Sequence, residues 1–180
     1  MNTRVLFKNR WLALCEIEYR DRQGQLRTWE SVTRVAGHGA ASIIARVEEY
    51  GKEWLLVVKQ FRPPVGGYVL ELPAGLLDAG ETPETAARRE LAEETGYVAG
   101  SASAGPFVYN SPGLTSEKTA LVLVEASGPG PAAPDGGEEI EVLLLPLRGL
   151  KTRLLQEAEA GVHLDAKLWC FALGLEMSGA

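Results

Sequence analysis

Between Gly75 and Tyr97 the chain reads GLLDAGETPETAARRELAEETGY, which gathers Glu81, Glu90, Glu93 and Glu94 around Arg89 and sets glycines at 75 and 96. Glu90 and Glu94 are four residues apart. On a helix they emerge on one face about a turn from each other, with Glu93 bordering that face. Like charges at this spacing weaken a helix unless something compensates them. Arg89 answers part of the charge. A hard divalent cation would answer the rest, because Mg²⁺ binds through a few carboxylates, waters and phosphate oxygens. Such a cluster suits the gathering of metal around a phosphate chain. A run of glutamates is more often a solvated helix face, but here seven positions are fixed within the single frame G-x5-E-x7-R-E-L-x-E-E-x-G-Y.

The acids need a helix with defined ends, and the flanking residues supply one. Thr82 is a good N-cap, Pro83 suits the first helical position, Glu84 to Thr95 are mostly strong helix formers, and Gly96 is placed for a left-handed stop. Upstream, residues 2–35 read as short strands joined by a turn at Arg22 to Gln25. Ala40 to Val47 and Trp54 to Gln60 read as buried strands around a polar hairpin at 48–53, followed by an irregular loop at 61–67 and a short strand at 68–72. Downstream, strands are expected over 97–109, 120–125 and 140–146, a Gly- and Pro-rich loop over 128–137, and helices over 148–160 and 165–176. Strands flanked by helices on both sides predict an α/β/α sandwich with a mixed sheet.

The 180 residues suffice for one good core with a small appendage. The net charge of −6 argues against general nucleic-acid or anionic-membrane binding, yet is compatible with a phosphate-bearing small substrate, since metal and local cations can reverse the field inside one pocket. Cys15 and Cys170 fit no metal-ligand spacing and read as two reduced, partly buried thiols. No apolar run approaches the ~18–20 residues of a membrane helix, and the N-terminal stretch lacks a leader's apolar core. A soluble, cytoplasmic protein is expected. His38 and His163 are the only histidines and form no His-Glu-x-x-His or Ser-His-Asp pattern, which disfavours zinc hydrolysis and serine chemistry.

The Gly75–Tyr97 pattern resembles the Nudix box, with Tyr97 standing where an aliphatic residue is usual, a change expected to touch packing rather than chemistry. Thr28 to Arg34, Val58 to Gly67 and Ser111-Pro-Gly-Leu-Thr115, with Pro112 sixteen residues after Gly96, resemble the ADP-ribose (ADP-sugar) pyrophosphatase branch of the Nudix hydrolases. The resemblance runs from about Trp11 to the C-terminal helix. It implies a Nudix fold over 37–180, a small N-terminal β subdomain over 1–36 for dimerisation and base binding, and a homodimer with exchanged N-terminal strands.

That resemblance also carries roles to particular positions. Glu90, Glu94 and the Ala74 carbonyl, with support from Glu93, would hold Mg²⁺ or Mn²⁺. Trp11 and Trp29 would sandwich the base, one from each subunit, with Glu30 accepting from its edge. Arg34 and Arg62 would clamp the phosphates, as planar guanidinium groups do well. Leu76 would contact the substrate through its backbone, and Ser111 would lie near the sugar. The general base falls on Glu139, with Glu138 one residue away and Glu93 in the box as rivals. The expected reaction is Mg²⁺-dependent hydrolysis of a nucleoside diphosphate sugar, ADP-ribose giving AMP and ribose 5-phosphate. UDP- or GDP-sugars and oxidised nucleoside diphosphates are alternative substrates. A catalytically silent nucleotide sensor is the alternative of another class, disfavoured because the chain retains every box acid.

Overall fold

The computed structural model describes residues 1–35, 37–130 and 139–179. Three antiparallel strands, β1 (Asn2–Lys8), β2 (Leu12–Arg20) and β3 (Leu26–Arg34), form a separate N-terminal sheet. Its β2–β3 turn is closed by the Asp21 carboxylate, which accepts from the backbone N–H of Gln23 and of Gln25, each at 2.9 Å. This sheet docks on the rest of the chain through the loop that follows Asn110. Val32 forms a parallel bridge with Thr115, and the Val32 N–H donates to Leu114 O at 2.9 Å.

The larger sheet has eight strands: β4 (Ala40–Glu49), β5 (Lys52–Arg62), β6 (Gly67–Glu71), β7 (Ala74–Leu76), β8 (Val98–Tyr109), β9 (Lys118–Ser127), β10 (Ile140–Pro146) and β11 (His163–Leu164). It is mixed, because β4 runs parallel to β9 and β6 parallel to β11 while the other pairs are antiparallel. Side-chain alternation then makes two cores. Ala41, Ile43, Ala45 and Val47 of β4 pack with Ala86, Ala87 and Leu91 of helix α1 (Pro83–Thr95). On the other face Leu55, Val57 and Leu70 pack with Leu150 and Leu154 of α2 (Leu150–Glu159) and Leu168 and Ala172 of α3 (Ala166–Ser178). The expected α/β/α sandwich is present, and Tyr97 lies buried in the α1-side core.

Some boundaries differ from the sequence expectation. The β4–β5 hairpin is tighter than 48–53, closing on Tyr50 and Gly51 with φ of 53° and 70°, the positive pair that a two-residue hairpin favours. Strand β5 continues through Arg62, because Phe61 and Arg62 pair with Tyr68 and Gly67, so the irregular loop shrinks to 63–66. The two-residue β11 and three-residue β7 are too short to carry a period and exist because longer neighbours pair with them. Cys15 is buried, but Cys170 is exposed, since it lies on the outward side of α3. Residue 36, the expected subdomain boundary, residues 131–137 of the expected Gly- and Pro-rich loop, and residue 138 lie outside the described residues.

Helix α1 has the ends its sequence calls for. The Thr82 hydroxyl accepts from Thr85 N, Pro83 occupies the first turn, and Gly96 takes the left-handed conformation at φ 73°. Replacing Thr82 by Ala should cost about 0.5–2 kcal/mol, read as a lower urea midpoint with unchanged m-value.

Candidate active site

Arg89 organises the acids of α1. Its Nη1 donates to Glu90 Oε1 at 2.7 Å and Glu93 Oε2 at 3.1 Å, and its Nη2 to Glu81 Oε2 at 2.9 Å and to the Leu76 carbonyl at 3.0 Å. These bonds hold Glu81 below the ordinary carboxylate range and push Arg89 further up. Glu90 goes the other way: desolvation raises its affinity for a proton, and the Arg89 bond offsets this only in part.

Two strands bring backbone to these acids. β7 pairs with the start of β4, with Ser42 opposite Ala74 and Ala41 opposite Gly75. The Glu90 carboxylate lies so close to Gly75 that a Cβ there would overlap it. Any side chain at 75 would have to displace the Glu90 carboxylate from this position. The Ala74 N–H donates to Glu94 Oε2 at 3.3 Å, and Glu94 is buried.

These groups face one cavity of about 460 Å³. Arg34, Arg62, Ala74, Leu76, Glu90 and Glu94, all selected from sequence, line it together. Arg62 comes from the end of β5 and is held by a two-pronged pair with Glu71, at 2.6 and 2.9 Å. Arg34 comes from β3 and is bound to Glu117, so the N-terminal sheet contributes directly to this wall.

Other predicted residues lie elsewhere. Glu93 is on the Arg89 cluster and does not line the cavity. Glu139 is exposed just before β10; Ile140 pairs with Gln60, which sets Glu139 beside the Phe61–Arg62 end of β5. Glu138 lies outside the described residues. The Ser111 carbonyl closes the turn by accepting from Leu114 and Thr115 N–H, and its side chain is exposed. Glu30 is exposed on β3 opposite Glu16. Trp11 and Trp29 are 66% and 51% exposed and do not meet. Ile17 faces Trp29 and Leu12 faces Arg34 in the β2–β3 ladder, so the two indoles stand about 20 Å apart along the ribbon. The Trp29 indole N–H donates to Gly113 O at 2.9 Å, and the Arg10 guanidinium covers the Trp11 ring at 4.5 Å.

Sequence reasoning missed several lining residues: Ser42, Glu117, Thr119 and Lys167. Asn110 Nδ2 donates to Glu117 Oε2 and Thr119 Oγ1, tying the end of β8 to the start of β9. An acid six residues beyond Ser111 was a signal that could have found Glu117; nothing local marks Ser42, a buried strand residue.

The donor set fits a hard divalent cation. Among the described residues no three His, Cys, Asp or Glu side chains converge as a ready-made metal cluster. Two carboxylates, however, face the cavity beside the backbone of Ala74 and Gly75, with the close approach at Gly75 already built. Ions of this kind take the rest of their shell from water and phosphate oxygens. The Ser42 hydroxyl, on the same lining, is buried without a hydrogen-bond partner among the described residues, as expected where an occupant supplies the missing oxygen.

The NUDIX domain profile matches residues 37–166. The chain is 39% identical to the ADP-sugar pyrophosphatase of Mus musculus, over 96% of this chain and 84% of that protein. It is 37% identical to the ADP-ribose pyrophosphatase of Saccharomyces cerevisiae, over 94% and 78%, and 34% identical to the GDP-mannose pyrophosphatase of Cronobacter sakazakii, over 79% and 75%. The crystal structure of an ADP compounds hydrolase superposes with a TM-score of 0.73 at 20% identity, covering 99% of this chain and 93% of that one, a likeness of fold. The chain belongs to the Nudix family. No helix of the described residues is long and apolar enough to cross a membrane.

Glu117 gives this site a pH signature. Desolvation pushes its pKa up, but bonds from Arg34 and Asn110 outweigh that and hold it below the ordinary 4.5. The folded chain thus binds this proton more weakly than the unfolded one. The stability it contributes is present above pH 4.5 and is lost as pH falls through the lower folded value. Glu117→Gln should therefore lower Tm at pH 7 and narrow the gap to wild type as pH falls below 4, measured by thermal melts across pH.

Proposed function

We propose that this chain hydrolyses the diphosphate bond of ADP-ribose and related ADP-sugars, giving AMP and a sugar phosphate, with Mg²⁺ as the ion and Mn²⁺ as a substitute. The observation that carries this reading is the convergence of Glu90 and Glu94 with Arg34 and Arg62 on one cavity. The activity in the names of the mouse and yeast relatives, which align along nearly the whole chain, agrees with it.

Glu90, Glu94 and the Ala74 carbonyl would hold the ion, which when bound lowers the pKa of water and offsets phosphate charge. Arg34 and Arg62 orient the diphosphate through charge-assisted bonds. Arg89 fixes Glu90 and Glu93 so that neither turns away. Glu139, beside the Arg62 end of β5, takes the proton of the attacking water; Glu93, committed to Arg89, is less free to do so.

The N-terminal subdomain, residues 1–36, serves dimerisation and base binding in this reading. Trp11 and Trp29 cannot enclose one base within a protomer at their separation, so a sandwich needs one from each of two copies. The exposed Val5, Phe7, Leu12 and Leu14 of β1 and β2 supply apolar surface for such a contact. A cytoplasmic setting suits the free thiols Cys15 and Cys170. GDP-sugars are the second reading, favoured by the GDP-mannose pyrophosphatase relative and by the tolerance of indole stacking for different bases.

In a screen of nucleoside diphosphate sugars with Mg²⁺, ADP-ribose should lead, and Glu90→Gln should cut kcat by about 10³-fold with an unchanged circular dichroism spectrum. A flat profile across bases overturns the ADP-sugar assignment, and near-normal turnover of Glu90→Gln overturns the metal site. Sedimentation at micromolar concentration should give a dimer, and Trp11→Ala should raise KM for ADP-ribose about tenfold, on the scale of one lost base stack; a monomer with unaffected KM removes Trp11 from the site.

A further inference from the structure

Lys167 reaches the cavity from an element that no motif pointed to. It lies in the first turn of α3, one residue past the end of the NUDIX match at 166, and it lines the same cavity as Glu90, Glu94, Arg34 and Arg62. A cation in the first turn of a helix opposes the macrodipole, whose N-terminal end favours anions. The fold nevertheless holds it there. Asp165 caps α3 by accepting from Lys167 N at 2.9 Å and Leu168 N at 3.3 Å through Oδ1, while its Oδ2 accepts from Lys167 Nζ at 2.8 Å. The lysine side chain keeps 30% of its surface exposed, so the ammonium is braced on one side and open on the other. An ammonium has three donors, of which Asp165 takes one.

Its charge is also felt across the cavity. Lys167 lines the same cavity as Glu117 and lies near enough to contribute, after Arg34 and Asn110, to holding that carboxylate ionised. Arg34, Arg62 and Lys167 thus converge from β3, β5 and α3, three elements far apart in sequence. Each arrives with a carboxylate partner: Glu117, Glu71 and Asp165.

We propose that Lys167 is a substrate-binding residue of this site, its Nζ donating to an oxygen of the bound diphosphate while Asp165 keeps it aimed. This rests on the diphosphate reading of the cavity. Loss of one charge-assisted bond predicts that Lys167→Met lowers kcat/KM for ADP-ribose about ten- to hundredfold, and that Lys167→Arg, which keeps the charge, recovers most of the loss. Titration calorimetry with inorganic pyrophosphate in EDTA, without metal, should show the same order: wild type, then Arg, then Met. If Met matches wild type within about twofold in both assays, Lys167 does not touch the ligand. If Arg and Met lose alike and both lower Tm, Lys167 only packs α3, and the proposal falls. A wild type that binds pyrophosphate but turns over no nucleoside diphosphate defeats the ADP-sugar reading alone, and the calorimetric order of the variants still decides Lys167.

Discussion

The structure turns on the contact between the Glu90 carboxylate and the bare backbone of Gly75. A carboxylate pressed against a strand loses water, and the rise in its proton affinity records that loss. The fold must offset this cost from several directions. Arg89 returns opposite charge at 2.7 Å, β4 holds β7 flat by pairing Ala40–Ser42 with Ala74–Leu76, and Ala86, Ala87 and Leu91 seat α1 so that its acid face meets the strand. A side chain at residue 75 would break the contact even with every acid still in place.

Arg89 also explains how three of these four acids coexist near one helix. Its five N–H donors are spread over Glu81, Glu90, Glu93 and the Leu76 carbonyl. That arrangement uses the fork geometry of guanidinium, which a lysine would not reproduce. Glu94 stands outside this set, taking a backbone N–H instead. The two α1 carboxylates on the cavity are therefore held by different means, one by a side chain of its own helix and one by the strand beneath.

Helix α1 and its acids were legible in sequence because their information is local: cap, first-turn proline, spacing and left-handed stop lie within a short stretch. The sandwich was legible from the alternation of periods along the chain. What could not be read was convergence. Glu117 and Lys167 sit 50 residues apart in a loop and a helix start, and only the pairing of β9 with β4 and of β11 with β6 carries them to one cavity. Strand ends were misjudged for the same reason, since Phe61 and Arg62 are extended only because Gly67 and Tyr68 pair with them. Trp11 and Trp29 lie far apart along one hairpin, as the register of β2 with β3 dictates, and the expectation for them was one indole from each of two subunits.

The pairing of each cavity cation with a carboxylate bears on selectivity. In a chain of net charge −6, an unescorted cluster of three cations would repel itself and draw stray anions. With Glu117, Glu71 and Asp165 as escorts, each cation is held at a fixed angle before any ligand arrives, so ordering costs at binding are small. The escorts also set a threshold. A monophosphate offers one charged group against three prepaid ion pairs, whereas a diphosphate can engage several cations at once from a single tether. In the proposed reaction, cations held in this way would favour a bridged diphosphate over its monophosphate products.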